Sequence, residues 1–344
     1  MDNLKTKSEH FFPGSIIDIE YSFPEDILSN DHLKTMFPEW NMDAASKKTG
    51  VIERRISKYG QTAKDLGLEA CKKLLFKHPF LKEKLDAILF CTQTPDYIMP
   101  SNAFLIHRDL GLSEKVLAFD YNLACSGYVY GLLLASSLIK TGIVKNVLLV
   151  TGDTYSKIIN PSDRATRILF GDAASATWIG TSNTVHFKPL INKIDNFDLG
   201  TDSAGWNKFV VQTGGYRNPI DQNKVNEEDG KIFMNGMQIL NFVNFKIVPH
   251  LKEFLIKNDI KTADITQYLL HQGSLLAIES IKKKLHLNNN QIFSNITNIG
   301  NTVSSSLPIL IKDYFSNTDV PKGSKLLICS FGVGYSWGSA LVTK

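Results

Sequence analysis

The chain has 344 residues, 43% hydrophobic and 21% charged, which excludes a disordered or fibrous protein and leaves room for one large α/β domain or two similar ones. A net charge of +4 is too slight at this length to argue for nucleic acid, although it suits an acidic partner. The opening MDNLKTKSEH lacks the apolar stretch of a signal peptide, and no apolar run approaches the ~18 residues of a membrane span, so a cytoplasmic protein is expected.

In chain order, PGSIIDIE (13–20) reads as a strand, DILSNDHLKTMF as a capped helix, and KKTGVIERRI as a turn followed by a short strand. A helix from Thr62 to Leu75 precedes the buried strand LDAILFCTQT, a loop with two prolines (TPDYIMPSNA) and the helix AFLIHRDLG. VLAFDYNLAC is a strand that gives way at Cys125 to the apolar helix YVYGLLLASSLI, followed by the strands NVLLVTGD and ILFGDAASATWIG. From about residue 183 the order begins again. HFKPLIN is a strand, Asp198–Gly230 a polar excursion or cap, Asn235–Leu255 a long helix, and QYLLHQ a strand ending at His271. The helix LLAIESIKKKL, the loop NITNIGN, the helix SSSLPILIKDYF and the strands SKLLICSF and YSWGSALVT complete the chain.

Such a succession predicts mainly parallel sheets covered on both faces. In each half a small-residue segment, ACSG or NTVSSS, opens a helix followed by an apolar strand, NVLLV or KLLIC. Two similar layered halves are therefore expected, residues 1–182 and 183–344, with the site at their junction.

The four cysteines, Cys71, Cys91, Cys125 and Cys329, are widely spaced, with no C-x-x-C pair to suggest zinc or a disulfide framework. Cys125 stands at a helix start, where unpaired N–H groups and the helix dipole favour a thiolate; a small buried residue is the alternative reading. His271 lies at a strand end, where α/β folds place their sites. His107, His250 and His286 fit packing or surface roles. Asn301, after a glycine at a helix start, fits an N-cap on its own evidence, and FGVGYSWG (331–338) fits either a tight turn or a source of backbone donors. Cys, His and Asn in that order also occur in papain-like hydrolases, but the C-G-S-C-W surroundings of that nucleophile are absent.

Taken in order, TGVIERR (49–55), PSNA (100–103), AFDYNLACSGYVYGL (118–132), SDRATRILFGDAASA (162–176), LLHQ (269–272), NIGNT (298–302) and FGVGYSWGSAL (331–341) resemble the ketoacyl synthase III branch of the thiolase superfamily almost end to end. The resemblance implies a thiolase-like α/β fold of two similar halves in five α-β-α-β-α layers, a homodimer, and a catalytic set of Cys125, His271 and Asn301. It implies that Cys125 takes an acyl group from acyl-CoA or an acyl carrier protein. His271 and Asn301 then stabilise the enolate of a decarboxylating malonyl thioester, and condensation yields a 3-oxoacyl thioester for fatty-acid initiation or a specialised pathway. The oxyanion is assigned to the backbone N–H groups of Cys125 and Val333, and no tightly bound cofactor or metal is expected.

Several positions depart from the family pattern. Val333 replaces a glycine, and Ser274 a usual asparagine. Ala44 and Lys48 fall where a tryptophan and an arginine grip the coenzyme A adenine, so an aromatic platform is missing unless Trp40 moves in. Arg164 is retained as a phosphate contact, while Met237 replaces a polar residue along the pantetheine arm. Delivery by an acidic carrier protein, met by Lys282, Lys283 and Lys284, is thereby favoured over free coenzyme A. Met99 takes the frame of a residue that closes the partner subunit's acyl pocket, and its flexibility predicts a primer longer than acetyl. Transfer of the Cys-bound acyl group to a hydroxyl or amine is the alternative activity, and a non-catalytic assembly subunit a more distant one.

Overall fold

The structure is a computed structural model that describes residues 13–181 and 188–344. The opening decapeptide, the start of HFKPLIN and the expected boundary at 182/183 lie outside the described residues.

The first half runs β1 (Ser15–Ser22), β2 (Asp26–Ser29), α1 (Asn30–Met36), α2 (Met42–Thr49), β3 (Glu53–Ile56), α3 (Ala63–Lys77) and α4 (Leu81–Lys84). It continues through β4 (Ala87–Cys91), α5 (Asn102–Leu110), β5 (Leu117–Tyr121), α6 (Gly127–Lys140), β6 (Asn146–Asp153), α7 (Arg164–Arg167) and β7 (Ala173–Gly180). The second half comprises β8 (Lys193–Thr201), β9 (Phe209–Val211), β10 (Ile232–Met234), α8 (Gly236–Phe242), α9 (Val248–Lys257), β11 (Gln267–Leu270), α10 (Leu275–Leu285), α11 (Ser306–Asn317), β12 (Lys325–Gly332) and β13 (Ser336–Thr343).

Local chemistry explains most boundaries. Thr62 and Asp65 cap the first turn of α3 reciprocally, Ser29 caps α1, and Asn41 caps α2, which ends at Gly50 with φ of 78°. DILS is not the start of a helix. It pairs antiparallel with ERRI, and that pairing is pinned by fully buried Arg54, whose guanidinium donates to Leu28 O, Asn30 Oδ1 and Ile168 O. The expected long helix is α8 and α9 joined by a π-helical turn over Val243–Ile247.

Sheet polarity corrects the sequence expectation. The first sheet, in the order β1-β7-β6-β4-β5, is parallel only where β4 meets β5 and β6; the second, β11-β12-β13-β8, is parallel only at β11–β12. Crossover helices α5 and α6 supply the parallel connections. Between β6 and β7, by contrast, residues 154–172 fold over the strand ends and return the chain antiparallel. Strands buried on both faces are uniformly apolar in either polarity, so the pattern did not distinguish them.

The five-layer order is visible in the packing. Helices α6 and α11 lie between the two sheets in one core that joins Leu132, Ala135, Leu307 and Ile311 to Leu149 of β6 and Ile328 of β12. Helices α3 and α5 cover the outer face of the first sheet, and α9 and α10 that of the second. No helix among the described residues is long and apolar enough to cross a membrane.

Candidate active site

A cavity of about 410 Å³ opens at the strand ends between the halves, lined by Cys125, His271 and Asn301 together with Phe170, Phe209 and Phe331. Its volume is that of a small-molecule site.

Cys125 lies two residues before α6, whose start has no side-chain cap, so the positive end of that helix is left to the backbone around the thiol. The residue is 4% exposed. Burial, and secondarily the Asp153 carboxylate, push its thiol well above the ordinary range. The helix terminus then favours the thiolate as it forms rather than maintaining one at rest. Clearance around the sulfur comes from glycine: a Cβ on Gly332 would sit 2.8 Å from Cys125 Cβ and 3.1 Å from Sγ. Gly127 is equally constrained, because a Cβ there would collide with Cys91 Sγ.

His271 follows β11 directly, and its N–H donates to Cys329 O of β12 at 2.8 Å. Burial alone pushes its imidazole down to about 3, so it is neutral at working pH. Nδ1 lies 2.5 Å from Ser306 Oγ, which also accepts from Gln272 N–H at 3.3 Å. Ser306 is fully buried, so its hydroxyl proton must have an acceptor, and Nδ1 is the acceptor at hand. That assignment puts the ring proton on Nε2. Gly273 keeps this edge open, since a Cβ there would approach Nε2 to 3.4 Å.

Asn301 is aimed by backbone on both sides. Val303 N–H donates to its Oδ1 at 2.9 Å, and Nδ2 donates to Gly273 O at 3.4 Å. Val303 holds φ of 54°, a left-handed conformation unusual for a β-branched residue and costly by about 1–2 kcal/mol. Asn301 is therefore not a simple helix cap: α11 begins only at Ser306. The Asn301 loop also bonds to the first half, with Asn301 N–H donating to Leu169 O and Gly171 N–H to Asn301 O.

Of the other expected site residues, Lys48 and Ser274 line the cavity, Ser274 also capping α10 through Ala277 N–H. Met237 lines it too. Arg164 and Met99 are not among its lining residues; Arg164 opens the four-residue α7, and Met99 is 77% exposed in the loop before α5. Val333 instead lines a second, smaller cavity that shares Phe209 with the first. Trp40 does not move in. It is buried and stacked on Phe37 with ring centroids 4.1 Å apart, so no aromatic platform forms beside Lys48. Lys284 lies over the ring of Phe245, and Lys282 pairs with Glu279.

His250 is buried against Ser339 Oγ, His107 bonds to Ser113 O, and His286 ends α10, so all three have the structural roles expected of them. The polar excursion is partly sheet: Asp198–Thr201 belong to β8, while β9 and β10 form a hairpin that brings Phe209 and Met234 to the cavity. Sequence reasoning missed Phe209, Ser306, Asp153 and the buried Arg54. No group of three or more His, Cys, Asp or Glu side chains able to hold a metal ion occurs among the described residues.

Comparison with known proteins agrees with this geometry. The family description 3-oxoacyl-[acyl-carrier-protein] synthase III matches residues 119–203, and its C-terminal counterpart matches residues 255–344. Beta-ketoacyl-[acyl-carrier-protein] synthase III of Campylobacter curvus is 34% identical over 333 residues, 96% of each chain; the same enzyme of Chlamydia caviae is 34% identical over 93% of this chain and 94% of its own. A 3-oxoacyl-(acyl-carrier-protein) synthase III crystal structure superposes with a TM-score of 0.90 at 34% identity, covering 96% of this chain and all of that one. The corresponding Burkholderia xenovorans structure gives 0.85 at 33%, covering 97% and 94%.

Proposed function

This chain belongs to the 3-oxoacyl-[acyl-carrier-protein] synthase III family of acyl-transferring condensing enzymes, and on that premise we propose a decarboxylating condensation run by Cys125, His271 and Asn301. The N-terminal half, residues 1–182, delivers the nucleophile, and the C-terminal half, 183–344, the two donors. Cys125 Sγ attacks the carbonyl of an acyl-CoA or acyl-carrier thioester. Its proton passes to the departing thiolate, and the backbone N–H groups of Cys125 and Val333 hold the oxyanion. A malonyl thioester then enters and loses carbon dioxide. The electron pair released becomes an enolate whose oxygen accepts from His271 Nε2 and Asn301 Nδ2. Its carbon attacks the acyl-cysteine, the Cys125 thiolate leaves and takes up a proton from solvent to restore the thiol, and a 3-oxoacyl thioester results, as fatty-acid initiation or specialised lipid metabolism requires.

One observation carries this reading: the neutral His271, with its proton placed on Nε2, shares a cavity with the thiol and the Asn301 amide. A neutral donor suits an enolate, and no proton need be removed from the second substrate. Lys48, Ser274 and Met237 line the path of the thioester arm. With Trp40 held on Phe37 and Met237 in the cavity wall, carrier protein is favoured as the donor, docked near Lys282, Lys283 and Lys284, while Arg164, outside the cavity, is the phosphate contact for coenzyme A. Exposed Tyr97, Ile98 and Met99 support a homodimer in which Met99 closes the partner's acyl pocket. The buried free cysteines support a cytoplasmic setting.

The test is intact-protein mass after incubation with acyl donors, then carbon dioxide release on adding malonyl carrier. Acyl mass on Cys125 followed by decarboxylation is expected. Acylation without decarboxylation would assign transfer to a hydroxyl or amine instead, and no acylation an assembly role.

A further inference from the structure

The smaller cavity, about 280 Å³, adjoins the Cys125 cavity at Phe209, which lines both, and exposed Asn122, three residues before the nucleophile, is part of its rim. Most of its lining is apolar, including Ile158, Trp206 and Ile232. Three neutral polar side chains interrupt that lining. The hydroxyl of Tyr155, 2% exposed, donates to Gln93 Oε1 at 2.5 Å, and Gln93 Nε2 donates to Asn122 Oδ1 at 3.1 Å. Asp153 holds the same segment from behind by accepting from Gln93 N–H.

The direction of this relay decides what it can bind. With Tyr155 donating to the Gln93 carbonyl and Gln93 to the Asn122 carbonyl, each amide oxygen already has one partner, whereas the remaining N–H groups of Gln93 and Asn122 have none from this relay, and a covered N–H without a partner is worse tolerated than a carbonyl that keeps one. Among the described residues no charged side chain lines the cavity, so none of them offers a carboxylate a counter-ion there. An alkyl chain filling the space would strip water from these donors and offer nothing in return, a penalty that a chain with a well-placed oxygen avoids.

Resting on the condensing reading above, with the acyl group of Cys125 extending into this cavity, we propose that the cavity selects an acyl group that carries a neutral oxygen acceptor, a ketone, ether or hydroxyl, toward its far end. Tyr155 acts as the positioning residue that fixes the amide of Gln93, and Gln93 and Asn122 are the specificity-determining donors.

The test compares initial rates of Cys125 acylation, read by intact mass, for paired N-acetylcysteamine thioesters: pentanoyl with 4-oxopentanoyl, and hexanoyl with 5-oxohexanoyl. The wild type should load at least one oxo member about tenfold faster than its alkyl partner, the effect of about one hydrogen bond to a donor that the bound chain would otherwise cover and leave unpaired. Gln93→Leu should bring that ratio to parity or invert it, and Tyr155→Phe, which keeps the ring but frees the amide, should reduce it. Parity in the wild type, or a ratio unchanged in both variants, overturns the proposal while leaving the condensing activity intact. Failure of every thioester to acylate Cys125 overturns the condensing reading and this one with it.

Discussion

The two sides of the large cavity are built by different means. Around Cys125 the structure secures space: Gly332 stands where a Cβ would press on Cys125, and apolar packing with Ala124, Phe170 and Phe209 surrounds the thiol. Around His271 and Asn301 it secures aim, through Ser306, Gly273 and the left-handed Val303. On the chemistry proposed, the contrast follows from the work assigned to each side. A nucleophile must accept changing geometry as its carbon goes from planar to tetrahedral and back, whereas a hydrogen-bond donor contributes only while it points at the oxygen that gains charge.

The sharpest way to break this division is His271→Ala. Removing one enolate donor should lower malonyl decarboxylation by about 10²–10³-fold. Acylation of Cys125 should change far less, so equal losses in the two half-reactions would erase the distinction. Gly332→Ala should do the reverse, because its Cβ intrudes on Cys125. Single-turnover acylation should fall by roughly 10²-fold, the cost of a misplacement of about 1 Å, with thermal unfolding as the control for misfolding.

A milder change sharpens the aiming side. Ser306→Ala removes the hydroxyl that sets the His271 tautomer and should cost decarboxylation about tenfold, the lower end of what orienting partners contribute. Ser306→Thr, which keeps the hydroxyl, should restore part of it; similar losses in both would assign Ser306 to packing alone. The smallest effect concerns pH. Burial depresses the His271 imidazole to about 3, so lowering the pH from 8 to 5 does not protonate it, although it passes the ordinary histidine range. Decarboxylation by pre-acylated enzyme should therefore stay level within about twofold over that interval. A fall centred near 6.5 would show a solvated, titrating His271.

Sequence made the candidate trio legible because Cys125 and His271 each stand where a strand gives way to a helix, and Asn301 follows a glycine in the NIGNT loop ahead of α11. It also showed the alternation of apolar strands and helices, which burial enforces. What it hid was direction. Ser304, Ser305 and Ser306 are indistinguishable in SSS, yet successive residues near a helix start rotate by about 100°. One therefore bonds Asp153, the next Thr151, and the third His271. Phe209 was concealed for another reason: it lies in a polar tract, and only the β9–β10 hairpin turns it inward. The place of Trp40 was left open for a similar reason: sequence proximity to Lys48 says nothing of the Phe37 ring that already occupies its face.

The bonds between the Asn301 loop and residues 169–171 have a kinetic consequence. They tie the halves together at the site itself, where many two-lobed enzymes keep a hinge, and the shared core of α6 and α11 ties them again behind it. The halves cannot part like jaws to admit both substrates side by side. On the chemistry proposed, the thiol released by the first thioester and the incoming malonyl group must use the same passage past Met237 and Leu276. A ping-pong order is then a matter of traffic in a single corridor: the second substrate waits because the first product has not yet left.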